Sequence, residues 1–214
     1  MDSKIVLVGI GHVFNLDKQI KDIVRKEMPD AIALELDVER ANALIHRKKG
    51  RAPFFYSLLA KVQNLIARKF GVETGKEMLS SIEIAKELDI PIIYIDMNSR
   101  RVMDKLWRAM SLKKKIMIIL SSFLSIFYRK GEIEKKIKEF KSDEFTEELE
   151  KHFPEIKKIL IDERNEYMAE NLKNYAKKYD KIVAIVGEGH IKGLKDLLEN
   201  FVELEIIHLS QLIS

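Results

Sequence analysis

Residues 5–13 read IVLVGIGHV, and residues 183–191 read VAIVGEGHI. Each is an apolar, β-branched run followed by Gly-x-Gly-His and another apolar residue. The runs predict buried strands. A strand that breaks at a glycine turn and then presents a histidine brings a ligand or a base to a sheet edge. His12 and His190 hold the same place in the repeat, so two such edges are expected to meet in one site. Working outward, residues 4–10 form the first strand. A helix starts at Asn15 or Asp17 and runs to about Met28, with Ile20, Ile23 and Val24 inward. Pro29-Asp30 stops it, and AIALEL at 31–36 is a second strand. Asp37 then caps a helix through Ala41, Leu44 and Ile45. Strand, helix, strand and helix with short connections are the signature of a parallel sheet.

The pattern turns helical after Gly50 and Pro53, with candidate helices at 54–70 and 76–88. PIIYI at 91–95 is a third strand ending at Asp96. No strand is expected from 98 to 150, which reads as a helical insert. Within it, IMIILSSFLSIFY at 116–128 is flanked by Lys113-Lys114-Lys115 and Arg129-Lys130. This run falls short of the ~20 residues of a transmembrane helix. It reads as a buried core or dimer-interface helix, or else as a membrane-surface helix. The insert as a whole is expected to be a lid, a dimer contact or a membrane-surface element. Phe153-Pro154 opens a long helix to about Lys178. A strand at 181–187, a helix at 191–200 and a strand at 202–207 follow. The expected architecture is one α/β domain over 1–214. Its central sheet is mixed but largely parallel and is flanked by helices, with the helical insertion at 98–150.

Of 214 residues, 46% are hydrophobic, which is enough for a core, and 34% are charged, above the ~25% common in globular domains. The chain has no cysteine, which excludes disulfides, thiolate ligands and cysteine nucleophiles. The opening MDSKIVLVGIGH has no basic stretch leading into an apolar one, so no signal peptide is expected. A cytoplasmic chain is expected, with peripheral membrane contact through 113–130 if that helix lies on a surface. The net charge of +4, from 38 basic and 34 acidic residues, describes a solvated charged surface. Nothing in the motifs supports nucleic-acid binding.

Ligands of open parallel sheets bind beyond the carboxyl ends of the strands. His12, Glu35, Asp37, Asp96, Glu188 and His190 fall at or just past those ends. In the second strand Ala31, Ala33 and Glu35 share a face, so small residues lead up to a carboxylate. The Gly-x-Gly turns do not make a dinucleotide fingerprint, because Phe14 and Lys192 stand where its third glycine would be. Two histidines near carboxylates suit a divalent metal (Zn, Mn or Co) or an acid–base pair without metal. In the long helix, Ile156, Leu160, Arg164, Met168 and Leu172 form an i, i+4 stripe that Arg164 interrupts. A guanidinium there is expected to meet a carboxylate such as Glu35, or an anionic or carbonyl group of a substrate. Glu77 opens the 76–88 helix, where a carboxylate suits the helix dipole.

Together these residues resemble the TraB/PrgY pheromone-shutdown family, within the wider superfamily of the Tiki metalloproteases and erythromycin esterase-like proteins. The likeness rests on Gly9-Ile-Gly-His12, Pro29-Asp30 and Glu35-Leu36-Asp37-x-x-Arg40. It continues through Gly75-Lys76-Glu77-Met78, Asp96 and Glu163-Arg164 with Met168, and ends at Val186-Gly-Glu-Gly-His190-Ile-Lys-Gly193. The resemblance implies a hydrolytic site, metal-dependent in the Tiki branch, at His12, Glu35, Glu77, Arg164 and His190. It lifts Glu77 above its capping role. The implied activity is a metal-dependent, peptidase-like hydrolase on a peptide or small-molecule substrate. His12, His190, Glu35 and Glu77 would be ligands, and Glu35, Glu77 and Arg164 catalytic groups. Which glutamate is ligand and which is base stays open. The alternative is a protein of the same fold that binds or sequesters a peptide or porphyrin without chemistry.

Overall fold

The computed structural model describes residues 3–11, 14, 16–46, 76–109, 111, 150–151 and 153–213. His12, the expected helices at 54–70 and 116–128, and most of the 98–150 insert lie outside these residues. The strands are β1 (Lys4–Ile10), β2 (Ala31–Leu34), β3 (Ile92–Tyr94), β4 (Lys181–Gly187) and β5 (Glu203–Ile207). They form one sheet in the order β3-β2-β4-β1-β5, and every pairing is parallel. No antiparallel strand joins it among the described residues, which refines the expected mixed sheet. Strands sandwiched between helix layers need apolar side chains on both faces. Accordingly Ile5 to Val8, Ala31 to Leu34 and Ile182 to Val186 are almost wholly buried.

Helices cover both faces. On one lie α1 (Asp17–Glu27), α2 (Val38–Ile45) and α3 (Lys76–Glu87). Their Ile20, Val24, Ala41, Met78, Ile82 and Ala85 meet Val6, Val8, Ile32, Leu34, Val183 and Ile185. On the other lie α6 (Glu163–Tyr175) and α7 (Glu188–Leu198), whose Met168, Leu172, Ile191 and Leu194 meet Ile5, Leu7, Ala31, Ala33, Ile182 and Ala184. A smaller cluster joins α4 (Ser99–Ala109) to the start of the long helical segment, through Val102, Leu106, Ile156 and Ile159.

Three local features differ from the sequence reading. The long helix is α5 (Pro154–Lys157), a π turn (Lys158–Asp162) and then α6. After the π turn, the inward set of α6 is Asn165, Met168, Ala169 and Leu172. Secondly, β4 passes straight into α7 with Gly187 as N-cap, so His190 lies in the first helical turn and not in a loop before a helix at 191. Finally, a short α8 (Leu209–Leu212) follows β5.

Candidate functional site

Backbone ladders running past the strand ends fix where the polar side chains emerge. The Glu35 amide donates to the Ile185 carbonyl (3.1 Å), the Ile95 amide to Leu34 (3.1 Å) and the Asp96 amide to Leu36 (3.2 Å). Glu35 and Asp96 therefore leave the carboxyl edge on rigid backbone. Asp37 is the N-cap of α2 and accepts from the Arg40 amide (3.0 Å) and the Ser99 amide (3.1 Å). β4 runs directly into α7, whereas α2 and α4 begin four and five residues past β2 and β3.

Arg164 ties the strand ends together. Its Nε donates to Asp96 Oδ1 (2.9 Å), and Nη2 donates to Asp96 Oδ2 (2.8 Å) and to Glu35 Oε1. Nη1 donates to the Leu160 carbonyl within the π turn (3.1 Å). Four of the five guanidinium hydrogens are thus engaged. Asp96 also accepts from Arg40 Nη2 and from the Met97 amide (2.8 Å). Arg40 in turn donates to Asp37 Oδ2 (3.0 Å) and the Glu35 carbonyl (3.1 Å). One buried carboxylate, Asp96, holds two guanidiniums.

Glu35 receives Arg164 on Oε1 and the Gly187 amide on Oε2 (2.6 Å). Burial opposes its charge. His190, Arg164 and the Gly187 amide overcome that cost and hold its carboxyl well below the usual carboxylate range. Burial likewise opposes the Asp37 charge, and the Arg40 and Ser99 amides outweigh it, leaving that carboxyl lowered. For Arg164, burial lowers the pKa, but the Glu35 and Asp96 carboxylates raise it further, so it is a permanent cation.

His190 packs against this network from α7. Its Nδ1–H donates to Asn165 Oδ1 (2.7 Å), and both residues are about 4% exposed. The carbonyl oxygen of an amide can only accept, so Nδ1 carries the hydrogen. Nε2 then faces Glu35 Oε1 at 3.4 Å. A bare nitrogen lone pair cannot rest against a carboxylate without something positive between them, either a second ring proton or a cation. Two ligands bonded to a tetrahedral zinc at about 2.0–2.2 Å stand roughly 3.3–3.6 Å apart, which fits the pair. The donor types fit as well. Among the described residues no third His, Asp or Glu completes a metal-holding group.

The glycines of the repeat make room for carboxylates from adjacent strands. Gly9 lies opposite Val186 and Ile10 opposite Gly187, so β1 and β4 are neighbours with the two motifs staggered by one residue. A Cβ on Gly187 would stand 3.3 Å from Glu35 Oε2. A Cβ on Gly9 would stand 1.9 Å from Glu188 Oε2. The Glu188 carboxylate accepts from the Leu209 amide (2.9 Å) and pairs with His208 Nδ1 (2.7 Å), so it anchors α8 and not the cluster around Arg164.

The structure thus brings Glu35, Arg164 and His190 together. Glu77 is also buried, but it opens α3 on the opposite layer, and none of the bonds of Glu35, Arg164 or His190 goes to it. His12 lies outside the described residues. A model of the TraB/PrgY/gumN family matches residues 1–204. The chain belongs to the TraB/PrgY/gumN family. It is similar, at 28% identity over 236 aligned positions, to an uncharacterized protein of Methanocaldococcus jannaschii. That alignment covers 99% of this chain and 57% of the relative, so the chain spans somewhat over half the relative's length.

Within this family member, Asn165 escaped sequence reasoning. Its signal was present in the i, i+3, i+4, i+7 set 165, 168, 169 and 172, where a polar residue heads an apolar stripe. Asp96 and Arg40 were marked by place and by resemblance, but their joint hold on Arg164 depends on tertiary geometry. No helix among the described residues is long and apolar enough to cross a membrane.

Proposed function

We propose that this chain is a metal-dependent hydrolase acting on peptides. The observation that carries the reading is the facing of His190 Nε2 and Glu35 Oε1 across 3.4 Å, with Nδ1 committed to Asn165. His190 and Glu35 would hold a divalent ion (Zn, Mn or Co), and His12 is the further ligand the sequence nominates. Such an ion, when bound, lowers the pKa of a coordinated water and polarises a carbonyl. The strongly lowered carboxyl of Glu35 is a weak proton acceptor, which suits a ligand. Among the described residues one Nη1 hydrogen of Arg164 is uncommitted and would meet a developing oxyanion, the guanidinium being held by Asp96, Glu35 and Leu160.

The test loads the purified chain separately with zinc, manganese and cobalt, measures bound metal, and follows a peptide mixture by mass spectrometry. We expect stoichiometric metal, and cleavage that is lost with the metal in His190→Ala. Absence of bound metal after all three loadings, or undiminished cleavage by His190→Ala, overturns the proposal. The self-satisfied Arg164–Asp96–Arg40 network favours a second reading, a rigid cleft that binds a peptide or porphyrin without chemistry. Stoichiometric capture of intact ligand without product would establish it instead.

A further inference from the structure

Asn165 and Gly193 meet beside His190, at the contact that occupies its Nδ1. Both partners of the His190–Asn165 bond are buried, and they come from different helices, α7 and α6. Gly193 lies on α7 three residues past His190. A Cβ there would stand 2.1 Å from Asn165 Nδ2 and 3.0 Å from its Cγ. Only glycine leaves the amide room to lie against the α7 backbone and reach back to the imidazole. Asn165 itself faces inward on α6, three residues before Met168 and seven before Leu172.

We infer that Asn165 is a positioning residue that fixes the ring tautomer of His190, and that Gly193 is the clearance it needs. Either ring nitrogen of a neutral imidazole can carry the hydrogen, and the choice is set by what the other nitrogen meets. Left alone beside Glu35, the ring would turn its N–H toward that carboxylate, placing the hydrogen on Nε2 and leaving Nδ1 bare. The Asn165 carbonyl reverses this choice: it takes the Nδ1 hydrogen and leaves Nε2 to meet Glu35 through a second ring proton or a cation. Metal-binding histidines are held in the same manner, the distal N–H being given to an oxygen that orients the ring and raises ligand basicity. The tautomer claim stands on the Asn165 geometry alone. Its use for a cation rests on the hydrolase reading above.

The experiment uses the full chain with ¹⁵N-labelled histidine, the His190 signals being assigned by their loss in His190→Ala. In metal-free protein near pH 8, Nδ1 of His190 is expected to carry the hydrogen. In Asn165→Leu the hydrogen should move to Nε2. In Asn165→Asp, which keeps an acceptor oxygen, it should remain on Nδ1. Gly193→Ala leaves residue 165 unchanged but displaces it, and should give the Asn165→Leu spectrum by a second route. A bare Nδ1 in the wild type overturns the inference whether or not any variant folds. So does an unchanged Nδ1–H in folded Asn165→Leu. A zinc titration runs in parallel: affinity should fall about 10–100-fold in Asn165→Leu and largely persist in Asn165→Asp. Failure of zinc, manganese and cobalt alike to bind the wild type while Nδ1–H is seen defeats the hydrolase reading and leaves the tautomer assignment standing.

Discussion

At the scale of single residues, Glu35 is where the cost of burial and the gain from partners meet most sharply. Its ordinary carboxyl pKa of 4.5 is lowered well below that value despite desolvation, by His190, Arg164 and the Gly187 amide. A depressed carboxylate contributes stability that is fully present above its unfolded pKa and is lost as pH falls through the folded value. The wild type should therefore weaken progressively below about pH 4.5, as the unfolded chain binds protons that folded Glu35 refuses. Glu35→Gln should be less stable at pH 7 by about 3 kcal/mol, because Arg164 keeps its burial but loses a partner. The variant should also lose less on acidification. Urea unfolding at pH 7 and pH 4 checks both; an equal acid loss in the two proteins would show that other carboxylates set the acid limb. Arg164 was legible in the sequence because a cation interrupting an apolar stripe demands a carboxylate. Asn165 was not, since the stripe interrupted by Arg164 follows i, i+4 spacing alone, whereas Asn165 joins Met168 and Leu172 at i+3 and i+7.

At the scale of elements, the strands could be read because continuous β-branched runs leave little choice. The helix starts were harder. Gly187 and Gly189 look like a loop, yet the chain enters α7 directly, and the glycines serve clearance in one case only. A side chain at Gly9 would displace the Glu188 carboxylate from the Leu209 amide and His208, two charge-assisted bonds that anchor α8. Gly9→Ala should cost about 2 kcal/mol, the order of a bond or two to a charged group. Gly189 is the internal contrast. A Cβ there meets nothing within 4 Å, and the residue lies in the first turn of α7. Gly189→Ala should be neutral or stabilising by up to about 1 kcal/mol, since alanine is the better helix former. Thermal melts of the two variants decide this; similar losses in both would mean that backbone conformation, not space, selects glycine in the repeat.

At the scale of the whole molecule, the doubled motif reports adjacency: β1 and β4 lie side by side although far apart in sequence. The sequence reading brought the two ends to one sheet, but strand order was beyond it. Apolar runs of similar composition do not say which neighbours pair, and the order follows from which helices cover which face. The consequence is a C-terminal strand in the middle of the sheet. β4 pairs with β1 from Lys4–Lys181 to Ile10–Gly187, and with β2 from Ala31–Ile182 to Leu34–Ile185. No direct pairing joins β1 to β2, and α6 packs on a layer completed by Ile182, Ala184, Ile191 and Leu194. A chain ending at residue 180 would keep β1 and β2 but lose the strand that joins them, together with α7 and β5. It would expose Ile5 and Leu7 on one side and Ala31 and Ala33 on the other. Each fully buried aliphatic side chain contributes about 1.5–3 kcal/mol, so losing a handful exceeds the roughly 5–15 kcal/mol of a whole domain. Residues 1–180 should therefore show no cooperative urea transition and be cut rapidly by protease at sites protected in the full chain. Adding residues 181–214 in trans should restore protection only if the fragment inserts as the central strand. A cooperative, protease-resistant 1–180 would instead show that the N-terminal strands form a unit of their own, and that the repeat joins two separately folded parts.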